Sequence, residues 1–182
     1  MAESLRGRLL VATPTLIDPN FHLTVIFVLQ HDDEDGAVGV VVNRPSDVAV
    51  MTALPPWAAL ADAPPVVFLG GPVNHGAAIA LARRRSGASP AGWEPVLDEV
   101  GVVDLSGDPD AVHPDLQDLR VFTGYAGWGP GQLEDEIAAG SWFVVEADPS
   151  DPFADEPAAL WRRVLTRQGG VFRTVTDDPS RN

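Results

Sequence analysis

Two stretches hold side chains whose types and spacing chemistry could use. The first gathers Asp18, Asn20, Thr24, Asn43 and Arg44, with Pro19 and Pro45 beside them. A carboxylate set against a guanidinium can bind a polar ligand through charge-assisted hydrogen bonds. In the competing reading Asp18 caps a turn and pairs with Arg44 to fix a loop, because polar groups at strand ends mostly satisfy backbone partners. The second stretch is Gly124-Tyr125-Ala126-Gly127-Trp128-Gly129-Pro130-Gly131-Gln132-Leu133, read as a loop that follows a strand and opens a helix. Backbone N–H groups at such a place commonly hold anions. The dinucleotide glycine register is absent, however, and Glu134, Asp135 and Glu136 already occupy the early helix. Either Tyr125, Trp128 and Gln132 offer a platform for a neutral or cationic ligand, or the glycines make tight turns and the aromatics pack inward. Leu69-Gly70-Gly71-Pro72-Val73-Asn74 is a second glycine turn with the same two readings.

Other reactive arrangements are missing. The chain has no cysteine, so thiolate catalysis and disulfides are excluded, and all twelve basic residues are arginine, so lysine Schiff bases and lysine phosphate loops are excluded too. His22, His31, His75 and His113 have no metal-ligand spacing, and no Gly-x-Ser-x-Gly elbow occurs. Asp148, Asp151, Asp155 and Glu156 do not fit the alternate-position pattern of a calcium loop and read as a solvated acidic loop. Asp18 or His31 is the choice for a general base if the chain is a hydrolase. His31 borders four acidic residues and reads as an exposed turn residue. No cofactor or metal is expected.

The net charge of −14 repels polyanions, so no direct contact with nucleic acid is expected. Arg83-Arg84-Arg85 is the one basic cluster and reads as a solvated element end. Arg6 and Arg8 precede an apolar run that Pro14 and Asp18 cut short. No stretch approaches the length of a membrane span. A cytoplasmic protein without membrane contact is expected.

The elements that must position these residues are mostly short apolar runs: Arg8–Ala12, Thr24–Gln30, Ala37–Asn43, Val66–Leu69, Ala77–Arg83, Gly101–Leu105, Arg120–Thr123 and Ser141–Glu146 read as strands. Val25–Leu29 and Val38–Val42 are apolar on both faces, which calls for a sheet covered on both sides. Helices are expected over Ser46–Leu60, Pro109–Leu119, Pro130–Ala139 and Pro157–Gln168, the last with an apolar stripe and a Gly169-Gly170 stop. His31–Gly36 predicts a hairpin turn in which Gln30 faces Ala37 and Thr24 faces Asn43, placing His31 roughly 20 Å from Asn43. One α/β domain over residues 1–182, frayed from Thr176 onward, is the expected organisation.

The segments Leu10-Val11-Ala12-Thr13-Pro14, Asp18-Pro19-Asn20-Phe21, Thr24-Val25-Ile26, Gly39–Pro45, Leu69–Val73 and Gly124–Leu133, in this order, closely resemble the YqgE/AlgH family of uncharacterised bacterial proteins. The resemblance covers nearly the whole chain. It implies a single α/β (α+β mixed) domain with a large mixed, partly barrel-like sheet flanked by helices. Some members have been described as transcriptional regulators, yet this chain has no basic helix-turn-helix. The leading expectation is a non-catalytic ligand- or protein-binding regulatory protein whose surface of interest gathers Asp18, Asn43, Arg44, Tyr125, Trp128 and Gln132, for an unknown protein or small-molecule partner. An enzyme of unrecognised type and a structural or assembly protein are the alternatives; exposure of Trp57 or Trp93 would favour the latter.

Overall fold

The computed structural model of the chain describes residues 3–177. Its strands are β1 (Leu9–Ala12), β2 (Val25–Asp32), β3 (Gly36–Val41), β4 (Pro45–Ala49), β5 (Val66–Leu69), β6 (Val73–Arg84), β7 (Trp93–Leu97), β8 (Val100–Val103), β9 (Leu116–Trp128) and β10 (Trp142–Val145). The α-helices are α1 (Val50–Ala53), α2 (Pro109–Val112), α3 (Gln132–Ala138) and α4 (Leu160–Gln168). Neighbouring strands follow the order β10-β1-β2-β3-β9-β6-β8-β7, with β5 between β4 and β9. The β5–β9 pair is parallel and the other pairs are antiparallel, so the sheet is mixed; its ends do not meet and it is not closed.

Strand periodicity explains how one sheet makes three apolar layers, because successive side chains point to opposite faces. Leu9, Val11, Val25, Phe27, Val40, Leu81, Val100 and Phe122 fill the interior between the two halves of the sheet, closed by Leu160, Trp161, Val164 and Leu165 of α4. Their neighbours Leu10, Ala12, Ile26, Val28 and Val41 face the opposite way, under Leu133 of α3. Ala80, Ala82, Leu119 and Val121 face a third cluster with Val50, Trp57 and Val112. The apolar runs are thus covered on both faces, as their composition requires.

Strand β9 is longer than the sequence suggests. It pairs with β6 from Leu116 to Tyr125, with β5 at Phe122–Thr123, and with β3 at Ala126–Trp128. The expected loop from Gly124 to Trp128 is therefore strand, and the turn before α3 is confined to Gly129–Gly131. Gly124 carries φ +72°, which a side-chain-bearing residue adopts only at a cost. The Ser46–Leu60 helix is also replaced: β4 covers Pro45–Ala49, α1 is a single turn, and a 3-10 helix runs over Pro55–Leu60. Pro55-Pro56 stops α1, since proline cannot continue the hydrogen-bond ladder. In the same way Pro114 limits α2 to Pro109–Val112. The helices at Gln132–Ala138 and Leu160–Gln168 match expectation to within three residues.

The hairpin register agrees with expectation only away from its turn. Near the turn His31 faces Ala37; a bulge between Val28 and Gln30 then restores Phe27 opposite Val40 and Ile26 opposite Val41. Asp32 Oδ1 accepts the N–H groups of Glu34 and Asp35, which sets the turn one residue later than composition indicates. Beyond Asp177 the expected frayed end falls outside the described residues.

Helix α4 is tied to the body at two points. The Trp161 indole N–H donates to Ala12 O at 2.9 Å, and Arg167 holds the buried Asp151 carboxylate bidentately at 2.8 and 2.7 Å. Asp151 also accepts the Asp148 N–H, so it anchors its loop instead of being solvated. We expect Leu165→Ala, at a fully buried position, to destabilise the protein by about 2–5 kcal/mol in denaturant unfolding.

Candidate functional site

Asp18, Asn43 and Arg44 come together where the β1–β2 loop crosses the end of β3, and each is engaged with backbone. Asp18 Oδ1 accepts the Asn20 N–H at 2.9 Å, closing an Asx turn. Asn43 acts as a surrogate strand residue: its Oδ1 accepts from Val25 N at 2.9 Å and its Nδ2 donates to Leu23 O at 3.0 Å. That pair holds Leu23 at φ +56°, an unfavourable conformation for a leucine. Arg44 donates from Nη1 to Asn20 O at 2.7 Å and from Nη2 to His22 O at 2.9 Å. The expected Asp18–Arg44 ion pair is not made, because the guanidinium fork faces carbonyls. Partial burial lowers the Arg44 pKa, and the nearby Asp18 charge opposes the shift.

A recess of about 170 Å³ opens beside Arg44, lined by Asn20, Val41, Leu69, Gly71, Pro72 and His75. Its wall is the Gly70-Gly71 turn pressed on β9: a Cβ on Gly70 would lie 2.4 Å from Gly124 O, and one on Gly71 2.2 Å from Tyr125 C. The Gly70-Gly71 turn therefore meets β9 at Gly124 and Tyr125, and Tyr125 reaches the Arg44 end through its backbone. Leu69 is 48% exposed at the rim.

Trp128 and Gln132 belong to another end of the molecule. Trp128 pairs with Ala37 near the hairpin turn and is 5% exposed. Its indole N–H and that of Trp142 both donate to Glu136 Oε1 at 3.1 Å, and the two rings meet edge to face. Gln132 Oε1 accepts the Gly129 N–H, and its Nε2 donates to Glu136. These groups pack and cap; Trp128 has no open face for a stacked ligand.

His31 is not the exposed turn residue its acidic neighbours imply, for its side chain is 3% exposed. Its Nδ1 accepts from Leu5 N at 2.9 Å, which places the ring proton on Nε2, and Nε2 donates to the Glu134 carboxylate. Glu134 is held below the usual carboxylate range, chiefly by that bond. With both ring nitrogens engaged, His31 has none facing a substrate. Among the described residues no group of three or more His, Asp and Glu could hold a metal ion, and no helix is long and apolar enough to cross a membrane. Trp57 is buried and Trp93 half-buried with its indole N–H on Ala82 O, so neither is the exposed assembly contact considered above.

A charge cluster escaped the sequence reading. Arg120 is buried, with Nη1 on Pro152 O at 3.3 Å and Ala154 O at 2.8 Å, Nη2 on Ala63 O at 2.7 Å, and its guanidinium 4.3 Å over the Phe68 ring. Burial lowers its pKa to about 10. Asp62 and Asp118 line the adjoining cleft with Asp155 and Arg163. Arg83 binds Asp118 at 2.6 Å. Burial first, then the hydrogen bond to Asp118 and its charge, raise Asp62 to about 7. The arginine run is only partly solvated: Arg83 takes Asp118, and Arg84 takes Glu99 at 2.7 Å while lying over Trp93, whereas Arg85, just past the end of β6, is exposed as expected. No periodic signal marks these partners, which come from segments 15 to 57 residues apart.

Two outcomes follow from this geometry. Asn43→Ala leaves the Val25 N–H and the Leu23 carbonyl without partners, and denaturant unfolding should show a loss of about 1–3 kcal/mol. Asp62, raised in the folded state, contributes stability that is complete below its ordinary 3.8 and is lost as pH rises through about 7. Asp62→Asn should therefore flatten the decline in melting temperature across that window, and an unchanged slope would refute the assignment.

The sequence profile of the AlgH-like family matches residues 9–173. A UPF0301 protein of Streptomyces coelicolor is 51% identical over 99% of this chain and 96% of its own length. A UPF0301 protein of Thermobifida fusca is 44% identical, covering 97% and 93%. The crystal structure of a Corynebacterium diphtheriae protein superposes with TM-score 0.89 at 30% identity, over 95% of this chain and 91% of that one. The solution structure of AlgH from Pseudomonas aeruginosa gives 0.72 at 29% identity, over 93% and 92%. With profile, sequence and architecture in agreement over nearly its full length, the chain belongs to the AlgH-like UPF0301 family.

Proposed function

We propose that this protein is a non-catalytic regulatory binding protein that receives a carboxylate-bearing group, from a small molecule or a protein partner, in the recess beside Arg44. The observation that carries the reading is a half-buried guanidinium lining a recess together with Asn20 and His75. Two carbonyls engage two of its five N–H donors, which leaves donors for an anionic oxygen. The recess is smaller than the usual 300–1,000 Å³ of cofactor and drug-sized sites, so it suits one acidic group and its short apolar stem against Leu69.

An enzymatic reading has less support, since Asp18 caps a turn and both nitrogens of His31 are engaged. The charge of −14 supports action through a protein or small molecule and not through direct DNA contact. A cytoplasmic location belongs to the same proposal.

Native mass spectrometry of the protein purified gently from its own cells, beside the Leu69→Glu variant, tests it. Leu69 is exposed, so the substitution should leave unfolding nearly unchanged while setting a carboxylate against the incoming one. A ligand or partner mass retained by the wild type and lost from the variant supports the reading. Retention by both, or by neither, removes its basis.

A further inference from the structure

Strand β6 breaks its register beside the Arg44 recess. Val73 pairs with Tyr125 of β9 and Ala78 with Thr123, so residues 74–77 stand opposite Gly124 alone, where a regular ladder would place a single residue. Bulges interrupt pairing and re-aim a side chain, often next to functional sites. The side chain aimed by this one is His75, which lines the recess with Arg44 and Asn20. Asn74 makes the bend at φ +49°, in the left-handed region that asparagine enters more readily than most residues. His75 then lies over bare backbone, since a Cβ on Gly124 would stand 2.9 Å from its Cδ2. The residue is exposed, and neither of its ring nitrogens has a hydrogen-bond partner among the described residues, in contrast to His31, whose two are engaged.

The charges around the recess give this histidine a role. Burial disfavours the Arg44 charge and the nearby Asp18 carboxylate supports it, so one cation and one anion already offset each other at this end of the molecule. A carboxylate brought in beside them leaves one negative charge without a counterpart. Imidazole is the side chain that can supply the missing cation near neutral pH. The other elements against the bulge offer no alternative. From β9 come the Gly124 backbone and Tyr125, whose ring packs on the interior cluster. The turn before β6 contributes Leu69, Gly71 and Pro72, and the β1–β2 loop contributes Asn20, while His22 of that loop turns its ring to Leu16 O.

We propose that His75 makes the recess a proton-linked carboxylate site: as Arg44 takes the carboxylate, His75 takes up a proton from solvent and donates to a carboxylate oxygen that Arg44 leaves open. This rests on the carboxylate reading of the recess and adds its regulation, for affinity then rises as pH falls. By linkage the bound carboxylate favours the protonated ring as much as the protonated ring favours the carboxylate.

NMR titration of the full chain with propionate at about pH 8 and about pH 6, a range in which imidazoles change charge and carboxylates stay ionised, tests the two levels separately. Saturable shifts of the Leu69 methyls and the Gly71 amide are expected at both pH values, with about fivefold tighter binding at the lower one, the strength of a single exposed ion pair. His75 is exposed, so His75→Gln should fold normally, still bind propionate, and lose the difference between the two pH values. Absence of saturable shifts at either pH overturns the carboxylate reading and this inference with it. Equal affinity of the wild type at both pH values, or a difference that persists in His75→Gln, overturns the proton linkage alone and leaves the carboxylate reading standing.

Discussion

Strand β9 serves both halves of the sheet, and the rest of the molecule depends on how it does so. It must leave β6 and take up β3 within a few residues, at a point where β5 also runs alongside. The crossing works because three backbones meet without side chains between them. Gly70 N donates to Thr123 O and Gly70 O accepts from Val41 N, each at 2.8 Å, so one glycine bridges β9 and β3. A Cβ on Gly124 would lie 2.4 Å from Gly71 O, and the mirror contact from Gly70 is equally short. Any side chain there would push the strands apart and break the ladder. The Arg44 recess lies beside this junction, with Gly71 in its lining.

Loops around that frame are held by arginines that bind carbonyls. Arg6 ties β2 to β7, Arg44 ties the β1–β2 loop to β3, and Arg120 ties Ala63, Pro152 and Ala154 to β9. A guanidinium can do this because its donors diverge in a rigid plane, whereas an ammonium group is a compact point charge that holds such geometry poorly. In a chain of net charge −14 most carboxylates stay in water, while these cations act as internal braces. Arg120 is the extreme case: three carbonyls and a ring face hold it, and the neighbouring Asp62, Asp118 and Asp155 favour its charged form. Burying it without those partners would cost several kcal/mol.

Much of the frame was legible in the sequence. Runs such as Val25–Leu29 announce strands covered on both faces, and Pro157 with Gly169 brackets the covering helix. What misled were residues whose meaning depends on distant partners. Gly124 and Gly127 read as loop because strand interiors rarely carry glycine, yet at Gly124 the crossing requires close backbone approach. His31 read as exposed because its sequence neighbours are acidic; burial comes from Leu5 and Glu134, which lie 26 and 103 residues away. For the candidate site, Asn43 and Arg44 were found from their position at a strand end, but their partners are carbonyls and N–H groups that no side-chain pattern encodes. Asp62 and Arg120 had no local signature at all.

The same dual engagement gives the proposed Arg44 site a route to regulation. Arg44 holds Asn20 and His22 while lining the recess, and the adjoining Leu23, whose carbonyl Asn43 holds, sits at a positive φ. A carboxylate that draws on the remaining guanidinium donors would orient the fork more firmly toward those carbonyls. It would then stabilise the loop conformation by its differential affinity for the ordered state, and a ligand indifferent to that loop would transmit nothing. The β1–β2 loop also carries Ile17, 73% exposed, within three residues of Asn20. Occupancy of the recess would thus act on this loop through the Arg44 hydrogen bonds already in place, with no rearrangement of the sheet.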